Sequence, residues 1–145
     1  MKASNFTLPS TNKKNFTLKE NLGNYVVLYF YPKDDTPGCT IETKDFNELY
    51  SKFKKLDCEI YGISKDSIKS HDKFREKYKI KFDLLSDEEI KVLKKYKVWG
   101  KKKFMGREYD GIHRSTFIIN EKGVVTFIFD KVKTKEHSNQ ILDVI

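Results

Sequence analysis

Cysteine, proline, tryptophan and long apolar runs are all scarce in this 145-residue chain, which has 2 Cys, 3 Pro and 1 Trp. Two cysteines, Cys39 and Cys58, are too few for a disulfide-stapled secreted scaffold. No CxxC pair and no Cys/His cluster at zinc-ligand spacing is present. The longest apolar stretch, Tyr25 to Tyr31, falls far below the roughly 20 residues a membrane span requires. The start, Met1-Lys2-Ala3-Ser4-Asn5-Phe6, lacks the apolar region of a signal peptide. These absences lead to an expectation of a cytoplasmic protein with no membrane partner, in which thiols stay reduced. A reactive cysteine there is catalytic or sensing rather than structural.

What the chain does have is aromatic bulk. Eleven Phe and eight Tyr within 38% hydrophobic residues suffice for one core, despite 34% charged residues. A single domain over residues 1–145 is expected. The net charge of +8 arises mainly from lysines scattered along the chain, so it reads as surface solvation. The densest basic stretch, Lys94 to Phe104, interleaves charge with aromatics. It therefore supports a nucleic-acid reading in principle. The preferred reading is a solvated basic loop, with steering of an acidic reductant protein as a second use.

Hydrophobic periodicity orders the elements. Asn5-Phe6-Thr7-Leu8 and Asn15-Phe16-Thr17-Leu18 flank a polar turn and read as an N-terminal hairpin. Tyr25 to Phe30 is continuously apolar and reads as a strand buried on both faces. From Thr40 onward, Phe46, Leu49, Tyr50 and Phe53 form a helical stripe. Cys58–Ser64 reads as a strand, Ser67 through Tyr78 as a helix, and Phe82 to Leu85 as a short strand. Ser86 or Asp87 can cap a following helix that carries Ile90 and Leu93. Lys94 to Met105 reads as a loop or excursion. Ser115 to Ile119 and Val124 to Phe129 flank Gly123 and read as a hairpin, and Lys133 to Ile145 as a final helix. The sum is an α/β domain with a mixed central sheet flanked by helices.

Cys39 lies where the Tyr25–Phe30 strand gives way, through Asp34-Asp35-Thr36-Pro37-Gly38, to a helix. A helix start offers unpaired N–H groups and the positive end of the helix dipole, which favour thiolate, the reactive form. Thr36 brings a hydroxyl for an incoming oxygen, and Pro37 a rigid apolar ring that limits water. Gly38 gives close backbone approach. Arg114, far along the chain, can reach the sulfur if its strand adjoins, lowering the thiol pKa and stabilising a leaving oxygen. His113 beside it reads as dispensable, and His71 and His137 as surface or satisfied residues. Asp34 and Asp35 read as loop solvation.

The run Asp35-Thr36-Pro37-Gly38-Cys39-Thr40-Ile41-Glu42, with His113-Arg114-Ser115-Thr116-Phe117, resembles peroxiredoxins of the bacterioferritin comigratory protein (Q-type) subfamily. The resemblance extends over nearly the whole chain. It implies a thioredoxin-like fold with Cys39 as the peroxidatic cysteine. Thr36, Pro37 and Arg114 fall on active-site positions, and Glu42 on an acidic position that helps to hold the arginine. The implied activity is thiol-dependent reduction of hydrogen peroxide and small organic hydroperoxides through a Cys39 sulfenic acid, an antioxidant function. No metal or organic cofactor is implied. Electrons come from an external thiol such as thioredoxin or glutaredoxin/glutathione.

One position departs from the subfamily pattern. Many members carry a resolving cysteine five residues after the peroxidatic one, where this chain has Lys44. Cys58 reads as a buried structural cysteine, with resolving thiol as the sharper alternative. The working expectation is a one-cysteine mechanism in a monomer or weak dimer. The rivals are a peroxide-sensing redox switch and a basic nucleic-acid-binding protein.

Overall fold

A strand apolar at every position must be covered on both faces, and Tyr25–Phe30 sits at the centre of a five-stranded sheet. The computed structural model describes residues 2–129 and residue 141. In chain order the elements are β1 (Thr7–Pro9), β2 (Asn15–Thr17), β3 (Tyr25–Phe30), α1 (Pro37–Glu48) and α2 (Tyr50–Lys55). They continue with β4 (Cys58–Ser64), α3 (Ile68–Tyr78), β5 (Leu84–Ser86) and α4 (Lys91–Lys95). The last are β6 (Trp99–Phe104), β7 (Arg107–Ile112), β8 (Ser115–Ile119) and β9 (Val125–Phe129). The helix expected over residues 133–145 lies outside the described residues, apart from Ile141, which is buried.

The sheet runs β5-β4-β3-β8-β9. β3, β4 and β5 are parallel, while β8 and β9 are antiparallel to their neighbours. The sheet is therefore mixed, as the sequence pattern implies. The period-2 alternation of β3 divides its side chains between two cores. Val26, Leu28 and Phe30 join Phe6, Leu8, Phe16 and Leu18 from the N-terminal hairpin, with Leu93 of α4. Val27, Tyr29 and Tyr31 join Phe46, Phe53 and Phe74 on the other face, where Cys39 and Cys58 also lie.

One glycine permits that second core to close. Gly62 pairs in register with Tyr29, and a Cβ on it would stand 2.7 Å from the Tyr29 ring. A bare backbone lets the ring lie across β4 and place its hydroxyl 2.9 Å from Thr43 Oγ1 on α1.

Two segments differ from expectation. The stripe from Phe46 to Phe53 belongs to two helices, because the chain breaks at Leu49. There Asn47 turns its amide to the loop after α3, donating to the Lys79 carbonyl and accepting from Lys81 N–H. The Lys94 to Met105 stretch is not a loop throughout. It contains α4 residues and then β6, which pairs with β7 in a separate hairpin. The tip residues Met105 (φ 52°) and Gly106 (φ 78°) both take positive φ, the tight-turn geometry that matches strand twist. Lysine-rich, weakly alternating strands conceal such a hairpin, because its face is not a buried one.

Candidate active site

β3 delivers the chain to Tyr31, and a short loop carries it into α1. Proline suits the first helical position because its missing N–H would have no partner there, and Pro37 opens α1 behind the Thr36 N-cap. Cys39 is thus the third helical residue, at the carboxyl end of the central strand. The first-turn N–H groups of Gly38 and Cys39 precede any i−4 carbonyl of the helix, and the dipole presents its positive end to the sulfur. Cys39 is 1% exposed.

Arg114 comes from the link between β7 and β8. Because β8 lies next to β3, antiparallel, with Phe30 opposite Ser115, the residue before Ser115 arrives beside the end of β3. One guanidinium nitrogen donates to Cys39 Sγ at 3.1 Å, and the other to Glu42 Oε1 at 2.7 Å. The fork thereby joins the sulfur to a carboxylate one helical turn further along α1. A positive charge donating to sulfur interacts more strongly with thiolate than with thiol. Burial works against the Arg114 charge, yet Glu42 and Cys39 outweigh it and raise its pKa.

Glu42 is fully buried, and among the described residues its Oε2 has no hydrogen-bond partner. Burial pushes its carboxyl up to about 7, although Arg114 opposes the shift. The folded carboxyl therefore holds its proton to higher pH than an unfolded one at 4.5. Its contribution to stability is full below the unfolded value and falls as pH rises through about 7, by on the order of 3 kcal/mol. Denaturant midpoints measured between about pH 5 and pH 8 should decline in the wild type and flatten in Glu42→Gln. A slope that survives the substitution would assign it to another group.

Thr36 is placed at the helix start, but its hydroxyl donates to the Lys33 carbonyl at 2.8 Å. With that proton committed, Oγ1 faces a ligand only as an acceptor. Pro37 is itself exposed at the rim. Cys39, Glu42 and Arg114 are joined by direct contacts, with Thr36 and Pro37 beside them on the chain.

Reading Asp34 as loop solvation is incorrect. Asp34 is buried and receives hydrogen bonds from Tyr31 Oη and Ser70 Oγ. His71 Nδ1 lies 2.7 Å from Asp34 Oδ2, and its Nε2 lies 2.9 Å from the Leu85 carbonyl. The Asp34 backbone N–H donates to Asp66, which also holds Ser64. One polar side-chain atom from each of Asp34, Asp66 and His71 lies within 4.8 Å of the other two. The loop before Cys39 is thus pinned to α3 and the sheet. Asp35 adds an outer tie to Lys77 and Tyr78, which hold its carboxyl below the usual range. No sequence signal could link Asp34 to a histidine 37 positions away; only the packing of α3 does so.

Cys58 sits at the opposite end of the sheet. It pairs with Tyr25 at the start of β3, whereas the Cys39 loop leaves after Phe30, opposite Ile63. Five strand steps separate the two ends, about 17 Å, against the roughly 7 Å limit on Cα separation for a disulfide. Cys58 is buried and burial, then Glu59, pushes its thiol up to about 12. Lys44 is exposed, with its ammonium 5.7 Å from the Tyr78 ring centroid. His113 is exposed and donates its backbone N–H to Val98. Among the described residues no helix is long and apolar enough to cross a membrane.

Known proteins share this arrangement of chain. The family model described as AhpC/TSA matches residues 1–128. Peroxiredoxin Bcp of Bacillus subtilis is 43% identical over 144 residues, spanning 99% of this chain and 92% of that protein. Peroxiredoxin Bcp of Escherichia coli is 39% identical over 141 residues, spanning 97% and 90%. Among solved structures, Xanthomonas campestris bacterioferritin comigratory protein matches with a TM-score of 0.91 at 38% identity, over 96% of this chain and 88% of that one. A cysteine-to-serine mutant of Xylella fastidiosa PrxQ matches at 0.94 and 32% identity, over 99% and 92%. The fold is accordingly thioredoxin-like, and with its length and its architecture both matched, the chain belongs to the AhpC/TSA family, among the Bcp/PrxQ peroxiredoxins.

Proposed function

We propose that this thiol-dependent peroxidase works with Cys39 as its only redox-active cysteine, within one domain spanning residues 1–145. The observation that carries the reading is the Arg114 fork, 3.1 Å from Cys39 Sγ and 2.7 Å from Glu42. It supplies a fixed cation at the sulfur and an acidic group to hold that cation in place.

The reaction follows from these groups. The Cys39 thiolate attacks the outer oxygen of a hydroperoxide; the S–O bond forms as the O–O bond breaks. The electron pair leaves on the inner oxygen, which departs as alkoxide or hydroxide and takes a proton from water. Arg114 and the first-turn N–H groups of α1 favour that developing charge. Thr36 Oγ1, its own proton held by Lys33, accepts the hydroperoxide O–H and orients it. An external thiol then attacks the Cys39 sulfenic acid, releasing water and leaving a mixed disulfide. A second thiol regenerates Cys39 and carries away the oxidised pair. Thioredoxin or a glutaredoxin/glutathione couple fits that role.

The distance and burial of Cys58 support the one-cysteine form. Mass spectrometry after one equivalent of peroxide, before any reductant, should show Cys39 carrying one added oxygen. A dominant Cys39–Cys58 disulfide would overturn the proposal. Cys58→Ser should keep peroxide turnover with an external dithiol within about twofold of wild type, the range expected of a residue outside the site.

A further inference from the structure

β6 carries Lys102 toward the β7–β8 link that bears Arg114. Its ammonium donates to the Ile112 carbonyl at 2.9 Å, two residues before Arg114. Gly111 makes room for it, since a Cβ there would meet Lys102 Cδ at 3.2 Å. Lys102 is half-buried, and among the described residues no carboxylate pairs with it. Its neighbour Lys103, by contrast, faces Glu108 at 3.7 Å.

An ammonium so placed is electrostatically uncomfortable. Burial, then Arg114, pull its pKa down, and the contribution that holds it up comes from Cys39. Held against the Ile112 carbonyl, the ammonium adds a second positive charge on the Arg114 side of the sulfur. The groups around that charge are Lys102 from β6, Arg114 from the β7–β8 link, and Cys39 with Glu42 from α1; Tyr29 of β3 lies behind them. Glu42 is already engaged by Arg114, which leaves Lys102, among the described residues, as the cation of this group with no carboxylate partner.

We propose that Lys102 is a specificity-determining residue, which together with Arg114 makes the mouth of the Cys39 site positive and selects hydroperoxides that carry a negative charge. The inference rests on the reading of Cys39 as the peroxide-reactive thiol. Among the described residues Ile112 takes one of the three N–H donors of the ammonium, and the other two suit a carboxylate or similar anion on the substrate. Both directions of the effect follow from local potential: an anion is concentrated at the mouth, and a neutral molecule is not.

The test compares a tertiary-alkyl hydroperoxide bearing a terminal carboxylate with its carboxamide twin, which differs only in charge. Second-order rates of Cys39 oxidation are measured for wild type, Lys102→Met and Lys102→Arg. In Lys102→Met the carboxylate-to-carboxamide rate ratio should fall about tenfold, and the wild-type ratio should shrink in high salt. Lys102→Arg should restore the ratio. An unchanged ratio, including one in which both rates fall together, would show that the lysine only braces the strand and overturns the proposal. Failure of wild type to oxidise at Cys39 with either compound would instead refute the peroxidase reading beneath it.

Discussion

Cys39→Ser should reduce peroxide consumption to the uncatalysed background while leaving the fold in place. A hydroxyl is not ionised near neutral pH, so no anionic nucleophile remains to break the O–O bond. The structural penalty is small because the replacement oxygen keeps the Arg114 donor 3.1 Å from the sulfur position. A shift within about 1 kcal/mol is expected. Peroxide consumption with excess dithiol and a denaturant curve read the two quantities separately. Turnover by the serine variant would mean that another group performs the chemistry. Wild-type turnover beyond one equivalent would also exclude a stoichiometric sensor.

Arg114→Ala should produce the second-largest loss, and in two properties together. Removing a preorganised cation from developing charge typically lowers rate by about 10²–10³. The same substitution strips the fully buried Glu42 of its Arg114 ion pair. Breaking such a pair costs roughly 3–5 kcal/mol, reduced where the carboxyl relieves itself by taking a proton. Stability should therefore suffer most at high pH, where Glu42 is charged, and least below about 7. Arg114→Lys retains a charge but not the fork that spans sulfur and carboxylate, so its rate should fall between the two. If Arg114→Ala altered neither rate nor stability, the contacts at 3.1 and 2.7 Å would have no functional weight.

The loop that presents Cys39 has a construction the linear chain conceals. Asp34 turns inward to Tyr31, Ser70 and His71, while Asp35 turns outward to Lys77 and Tyr78. Adjacent, chemically identical residues thus have opposite environments. Asp35 takes φ 57°, a left-handed conformation that reverses the chain between them. An aspartate tolerates that region better than most residues. Of the two readings of His71, surface or satisfied, the structure excludes the first and bears out the second: it is buried, and its partners are Asp34 from the loop before Cys39 and the Leu85 carbonyl.

Local sequence determined the elements that depend on neighbouring residues. The continuous apolarity of Tyr25–Phe30, the helical character on either side of Leu49, though not the break there, and the turn chemistry before Cys39 each operate over a few positions. The motif around Cys39 and the Arg-Ser-Thr-Phe segment were legible for the same reason. The β6–β7 hairpin was not, because its strands bury no regular face and leave no period-2 signal. Tertiary structure alone decided the rest. Antiparallel pairing of β8 with β3 brings Arg114 to a sulfur 75 positions away, and parallel pairing of β4 places Cys58 at the far end of the sheet. Such contacts are properties of register and strand order, which arise only when distant segments pack on one sheet.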